Sequence, residues 1–194
     1  MRIPVDPRLT YRLINHGPLK LLTTRDRGRA NVMAASWVMP LRVDPPRIVL
    51  MVDTDSFTNE LLEASGELVV NLPTRAMLDA AYAAGRCSGR QVDKIEKLGF
   101  HITPAAHVAA PLIEGCVGWL ECRLVYDPEL LRRYGLRVAD VLAAWADDDV
   151  FVHERWRFRD EDQRTVHHLS GYAFFVTGEY VEAREPDGPG KPGL

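Results

Sequence analysis

Three short segments carry most of the polar chemistry in this sequence. In "DSFTNELLEASG", Ser56 and Thr58 stand at a helix start, where free backbone N–H groups and the helix dipole favour an anion. Plain N-capping accounts for one hydroxyl well and for both less easily. In "SGRQVDK", Ser88, Arg90 and Lys94 fall within one turn and the opening of a helix; alone, with Asp93 beside Lys94, that spacing reads as a solvated face. In "NVMAASWVMPL", residues 31–41, a strand-like stretch carries Ala34, Ala35 and Ser36 and then Trp37. A core strand would favour Val and Ile there, and a solvated one Lys, Thr and Glu. The slim surface ending in one large ring suits something flat lying against it.

The missing signatures narrow the chemistry further. The sequence has no GxGxxG, no Walker A loop, no GxSxG and no HExxH. Its six histidines form no metal-ligand spacing, and on a strand His167 and His168 point to opposite faces. No residue reads as an obligatory general acid or base, and none as a metal ligand. Cys116 and Cys122 lie in "CVGWLECRLVY", which alternates as a strand, so both face one side with Leu120 and Leu124. About 20 Å of strand separates them, beyond the reach of a disulfide. They read as small core residues of a cytoplasmic protein, and Cys87 as a bystander in a turn.

A hydrophobic fraction of 46% and a charged fraction of 26% are ordinary for a globular chain, and 194 residues suffice for one core. A net charge of -3 argues against a nucleic-acid binder that works by charge neutralisation. The main basic cluster, Arg25, Arg27 and Arg29 in "RDRGR", reads as a solvated hairpin turn that a phosphate-bearing ligand nearby could use. The N-terminus lacks the apolar stretch of a signal peptide, and no run approaches transmembrane length.

The elements that must position these residues follow from pattern. Residues 18–24 and 31–40 read as strands about a Gly-containing turn, 47–53 as a buried strand, and 67–73 as another. Ser56 or Thr58 caps a helix ended by Gly66; Thr74 opens a second, stopped by Gly85; "QVDKIEKLG" makes a third, with Val92, Ile95 and Leu98 inward. Residues 116–126 form a strand. In "LRVADVLAAWADDD", Val138, Val141, Leu142 and Trp145 recur at helical spacing. "VFVHERWRFR" alternates, "DEDQRT" is a polar turn, and "VHHLSGYAFFVTGEYVEA" supplies one or two last strands. We expect one domain over residues 1–184 and a disordered Pro- and Gly-rich tail over 185–194. About seven strands without βαβ repetition indicate a mainly β antiparallel barrel or sandwich with short helices.

Taken in order, "LLTT…G…NVMAASWVMPL…DPPRIVLMVD…SFTNELLEASGELVVNLP…GRCSGRQVDKIEKLGF" resembles the flavin reductase-like, FMN-binding split-barrel proteins, close to the flavoredoxin branch. The similarity runs from about residue 19 to residue 124, and more thinly to residue 180; the ordered set carries it, and no single piece does. The resemblance implies a Greek-key antiparallel split barrel that forms a homodimer, with FMN at or beside the interface. It implies that residues 31–39 lie along the isoalloxazine, with Asn31 in a polar role. Ala34, Ala35 and Ser36 then allow close approach, and Trp37 packs on or beside the ring. Ser56 and Thr58 would take the phosphate, Lys94 matches the basic residue of the family's "DK", and Arg90 is close by. His153 falls where the family's late strand returns to the flavin, and Tyr172 in "SGYAFF" is a further candidate. Two departures stand out: residues 127–149 look longer than the usual connection, and "FVHER" lacks the glycine that this strand often carries.

The activity so implied is an FMN-dependent oxidoreductase that takes hydride from NAD(P)H and passes electrons to a second flavin, an iron species or a protein. The rival is an FMN-binding electron carrier without significant NAD(P)H oxidation, since no nicotinamide signature is present. A pyridoxamine-phosphate-oxidase-like or haem-binding relative on the same barrel ranks third.

Overall fold

The computed structural model describes residues 1–184; the expected disordered tail, 185–194, lies outside the described residues. The chain opens with β1 (Arg2–Val5) and α1 (Thr10–Ile14), then β2 (Lys20–Asp26), β3 (Arg29–Ala35), β4 (Val38–Arg42) and β5 (Arg47–Met51). Helix α2 (Phe57–Ser65) leads to β6 (Glu67–Leu72), α3 (Leu78–Ala84), the single turn α4 (Lys94–Lys97) and the short pair β7 (Ile102–Thr103) and β8 (Leu112–Ile113). Then come β9 (Gly118–Val125), α5 (Pro128–Tyr134), β10 (Leu136–Asp147), the hairpin β11 (Phe151–Val152) and β12 (Arg155–Trp156), and the hairpin β13 (Val166–Ser170) and β14 (Ala173–Val176).

One antiparallel sheet dominates, in the order β3-β2-β6-β9-β10-β5-β4, with β1 added alongside β10. Its two end strands, β3 and β4, are consecutive in the chain and joined only by Ser36 and Trp37. A sheet whose ends are two residues apart must curl nearly shut, yet β3 and β4 do not pair, so the barrel is split. The expected strand over residues 31–39 is therefore two strands with a bend at Ser36 and Trp37. Lys20, at the start of β2, lies wholly buried at this split, and its Nζ donates to the Val38 carbonyl at 2.9 Å. That bond ties β2 to β4 across the gap.

Two apolar clusters fill the fold. One includes Leu22, Ile48, Leu50, Leu68, Leu120 and Cys122; the other includes Leu21, Val32, Val69, Ala84, Cys116 and Trp119. The two cysteines thus sit in different clusters, because Cys116 precedes β9 and does not share its alternation. Burial pushes both thiols up. Helices α2 to α4 pack over β2 and β3. Ser56 settles the capping alternative: its Oγ accepts from the Asn59 N–H at 3.1 Å, and Gly66 closes α2 at φ 68°. The third expected helix shrinks to one turn, capped by Asp93, which accepts from the Ile95 and Glu96 N–H groups.

The largest correction concerns residues 136–147, which form a strand of twelve residues and not an amphipathic helix. β10 pairs with β9, β5 and β1, so its residues are buried towards both clusters. Its register with β9 shifts between Val141 and Ala143, and the extra residue moves the core-facing set from Ala139 and Val141 to Ala144 and Ala146. A period of two with one inserted residue produces the three-residue spacing that imitates a helix. What read as a long insertion is thus a central barrel strand preceded only by α5. "FVHER" is corrected as well: His153 and Glu154 make the turn between β11 and β12, with φ 50° and 61°.

Burial lowers the Lys20 ammonium pKa from its usual 10.5 to about 8. Between those pH values the unfolded chain holds a proton that the folded chain has lost, so the contribution of Lys20 to stability rises with pH. Urea midpoints of the wild type and Lys20→Met, measured from pH 7 to pH 10.5, should diverge in favour of the wild type above about pH 8. Parallel profiles would show that no buried amine titrates in this window.

Candidate functional site

β3 has a strand partner on one side only, and a cleft of about 510 Å³ opens along its free edge. The start of α2, the loop after α3 and Lys94 make the other walls. At its floor the Asn31 Nδ2 donates to the Thr58 Oγ1 at 2.9 Å, while Asn31 Oδ1 is buried without a partner among the described residues. A Cβ on Gly89 would lie 2.1 Å from that Oδ1 and 2.8 Å from the Phe57 ring, so only glycine lets this loop come so close. Arg29 pins the loop by donating to the Gly89 carbonyl at 2.7 Å, and its guanidinium lies 4.3 Å from the centre of the Phe57 ring.

Two cations close the polar end. Lys94 is only 5% exposed; its Nζ donates to the Ala84 carbonyl at 2.8 Å. Burial lowers its pKa, which the neighbouring Cys87 partly opposes. The bare spacing had placed this lysine on a solvated face; the one-turn α4 turns it inward. Arg90 stays at the surface, where it pairs with Glu60 at 3.1 Å and donates to the Asp55 carbonyl at 2.8 Å. Asp53, Asp55 and Arg86 also line the cleft. Ser56, Phe57 and Thr58 at the N-terminus of α2 line the same space, where the first N–H groups of a helix have no intrahelical partner.

Past Ala34, Gly85 and Arg86 the cleft continues into a hollow of about 250 Å³. Ser36, Tyr82, His168 and Phe174 wall it. The rings of Tyr82 and Phe174 meet edge-on at 6.1 Å, and those of His168 and Phe174 lie 5.1 Å apart. A Cβ on Gly85 would sit 3.3 Å from the Ala34 Cβ, so two small residues keep the passage open. A polar, anion-suited head followed by an aromatic-walled slot fits an elongated ligand with a charged end and a flat end.

Of the residues expected at a site, Asn31, Ala34, Ser36, Ser56, Thr58, Arg90 and Lys94 line these two spaces. Ala35 does not: strand alternation turns it into the core. Trp37 lies at the bend with 70% of its surface exposed and lines neither space. His153 sits in the exposed β11–β12 turn, also away from both. Tyr172 is 85% exposed in the β13–β14 turn, although Gly171 and Phe174 of the same hairpin line the hollow. Sequence reasoning missed Tyr82, Arg86, Gly89, His168 and Phe174 as lining residues, while Arg29 stood in its basic cluster. The glycine-rich "GRCSGR" was the one signal for the loop; the aromatic wall had none, because it joins residues some ninety positions apart.

The family model described as "Flavin reductase like domain" matches residues 13–162. The uncharacterized protein YddH of Escherichia coli (strain K12) is 37% identical over 184 residues, which cover 93% of this chain and 97% of that protein. A crystal structure of an FMN-binding domain of a flavin reductases-like enzyme from Shewanella baltica OS155 superposes with a TM-score of 0.92 at 35% identity, over 95% of this chain and 98% of that one. The flavoredoxin of Desulfovibrio vulgaris (Miyazaki F) shares the fold, with a TM-score of 0.76 at 24% identity over 86% and 90% of the two chains. With its split antiparallel barrel and a family match across most of its described length, the chain belongs to the flavin reductase-like family.

Proposed function

We propose that this chain, as one domain over residues 1–184, is an FMN-dependent oxidoreductase that accepts hydride from NAD(P)H and passes electrons to a flavin, an iron species or a protein. The observation that carries the reading is the continuity of an anion-suited cleft with an aromatic slot along the free edge of β3. The name of the similar Shewanella protein, an FMN-binding domain, supports the cofactor. Bound FMN would supply the hydride-accepting chemistry; the protein supplies binding, orientation and exclusion of water.

Each residue then has a task. Ser56 and the first N–H groups of α2 would hold the phosphate, with Thr58 setting Asn31 beneath it and Arg90 and Lys94 adding positive charge. Ala34 and Ser36 would let the ring system reach the strand edge, and Tyr82 and Phe174 would shield it from water. The unpartnered Asn31 Oδ1 and the close approach at Gly89 fit a ligand that completes this floor. Among the described residues no helix is long and apolar enough to cross a membrane, and the three free cysteines suit the reducing cytoplasm in which we place the protein.

We also propose a homodimer. Trp37, Met39, Leu41 and Val43, in β4 and just beside it, are all more than two-fifths exposed. Met51 of β5 adds to the row. Such an apolar stripe on an edge strand is what a partner surface covers. Covering it with a second copy would also place Trp37, which lines neither space of its own chain, in the interface.

Four measurements test this reading. Lys94→Met keeps the apolar stem and removes the charge, so FMN affinity should fall about tenfold to a hundredfold while riboflavin binding stays unchanged. Equal losses for both ligands would remove Lys94 from the phosphate. Gly89→Ala should force the loop off Asn31 and weaken FMN binding, with about 1–3 kcal/mol lost in stability; wild-type affinity would place the ligand elsewhere. Sedimentation should give twice the chain mass at low micromolar concentration, and Trp37→Glu with Met39→Glu should halve it. Anaerobic NADH or NADPH should bleach the flavin; bleaching by dithionite alone would make the protein an electron carrier instead.

A further inference from the structure

One further large cavity shares no lining residue with the cleft or the hollow. It holds about 1000 Å³ between the end of α1, the β11–β12 hairpin with the segment that follows it, and residues 177–181. Five arginines line it against two glutamates, in a chain whose net charge is -3. Arg12 and Arg155 are already paired, with Glu154 at 2.8 Å and Glu182 at 3.0 Å. Arg157 and Arg159 have no carboxylate in ion-pair range among the described residues. Deeper in, the Arg164 Nε and the His16 Nδ1 are buried without partners. Burial holds the His16 pKa down at about 4, so that ring is neutral at pH 7.

Flat apolar faces accompany the charge. Trp156 and Phe158 stack at 5.4 Å with their planes 11° apart, and the Arg157 guanidinium lies 3.7 Å from the centre of the Tyr180 ring. Arg157 and Arg159 bring positive charge to the exposed rim of the cavity, and the orphaned buried donor of Arg164 costs free energy until it is met. Guanidinium forks match phosphate oxygens, and the same planes stack on aromatic rings. We infer that this cavity, lined by Arg157, Arg159, Arg164 and the Trp156–Phe158 stack, is a second binding site that takes a phosphorylated aromatic small molecule of the nucleotide class. Its anion joins the Arg157 and Arg159 guanidinium groups beside Arg164, and its ring lies against the Trp156, Phe158 and Tyr180 rings that line the cavity. The site stands apart from the space proposed for FMN.

The test is calorimetric titration of the FMN-loaded protein with ADP, inorganic pyrophosphate and adenosine. ADP should bind saturably, one per chain, with adenosine at least about tenfold weaker and with affinity that falls as salt rises. Arg159→Ala should weaken ADP roughly tenfold or more, and Arg159→Lys should fall between it and the wild type. Arg159 has no ion-pair partner among the described residues and lines neither the cleft nor the hollow, so the flavin absorbance and FMN affinity should not change. Absence of saturable binding by both ADP and pyrophosphate would overturn the inference. So would adenosine binding as tightly as ADP, wild-type affinity in Arg159→Ala, or displacement of FMN by ADP.

Discussion

The constraint on which this structure depends is the two-residue connection between the first and last strands of its main sheet. β3 and β4 lie at opposite ends of the strand order, yet only Ser36 and Trp37 separate them. The sheet must close, and it cannot close by pairing, so each of the two strands keeps one free edge. Lys20 bridges the split through its bond to the Val38 carbonyl, a buried ammonium where an apolar side chain would leave that oxygen without a donor.

The two free edges differ in character. Along β3 the helices α2 to α4 are held just far enough away to leave a channel. Its width is set by small residues: Gly89 against Asn31, and Gly85 against Ala34. The same closure puts the N-terminus of α2 over one end of the channel and the β13–β14 hairpin over the other. Along β4 the free edge carries an exposed apolar row. A split barrel thus separates the channel from the exposed apolar row by one bend, and Trp37 stands at that bend.

The hairpins after the barrel form a different environment. The β11–β12 turn projects away from the channel, and with the segment that follows it gathers arginines from separate parts of the chain. Charge in this protein is therefore not spread evenly: the chain is acidic overall, while one large cavity is basic.

Much of the barrel was legible in the sequence because its cues are local. The hairpin at Arg27 and Gly28, the Ser56 cap, the Gly66 stop and the strands at residues 47–51, 67–72 and 118–125 rest on neighbours a few positions apart. Of the small-residue stretch after Asn31, Ala34 and Ser36 line the channel, whereas Ala35 faces the core. Other features rest on partners distant in sequence, and only the tertiary structure decided them. β10 imitated a helix because its bulge is defined against β9 and its burial by sheets of neighbours on both sides. Lys94 reads as solvated until α3 presents the Ala84 carbonyl to it, and His153 reads as a strand residue until the chain turns there. The aromatic slot and the arginine cavity exist only once hairpins near the C-terminal end pack against elements near the N-terminal end. Residue patterns encode the period and the punctuation of a chain; which faces meet is settled by the closure of the sheet.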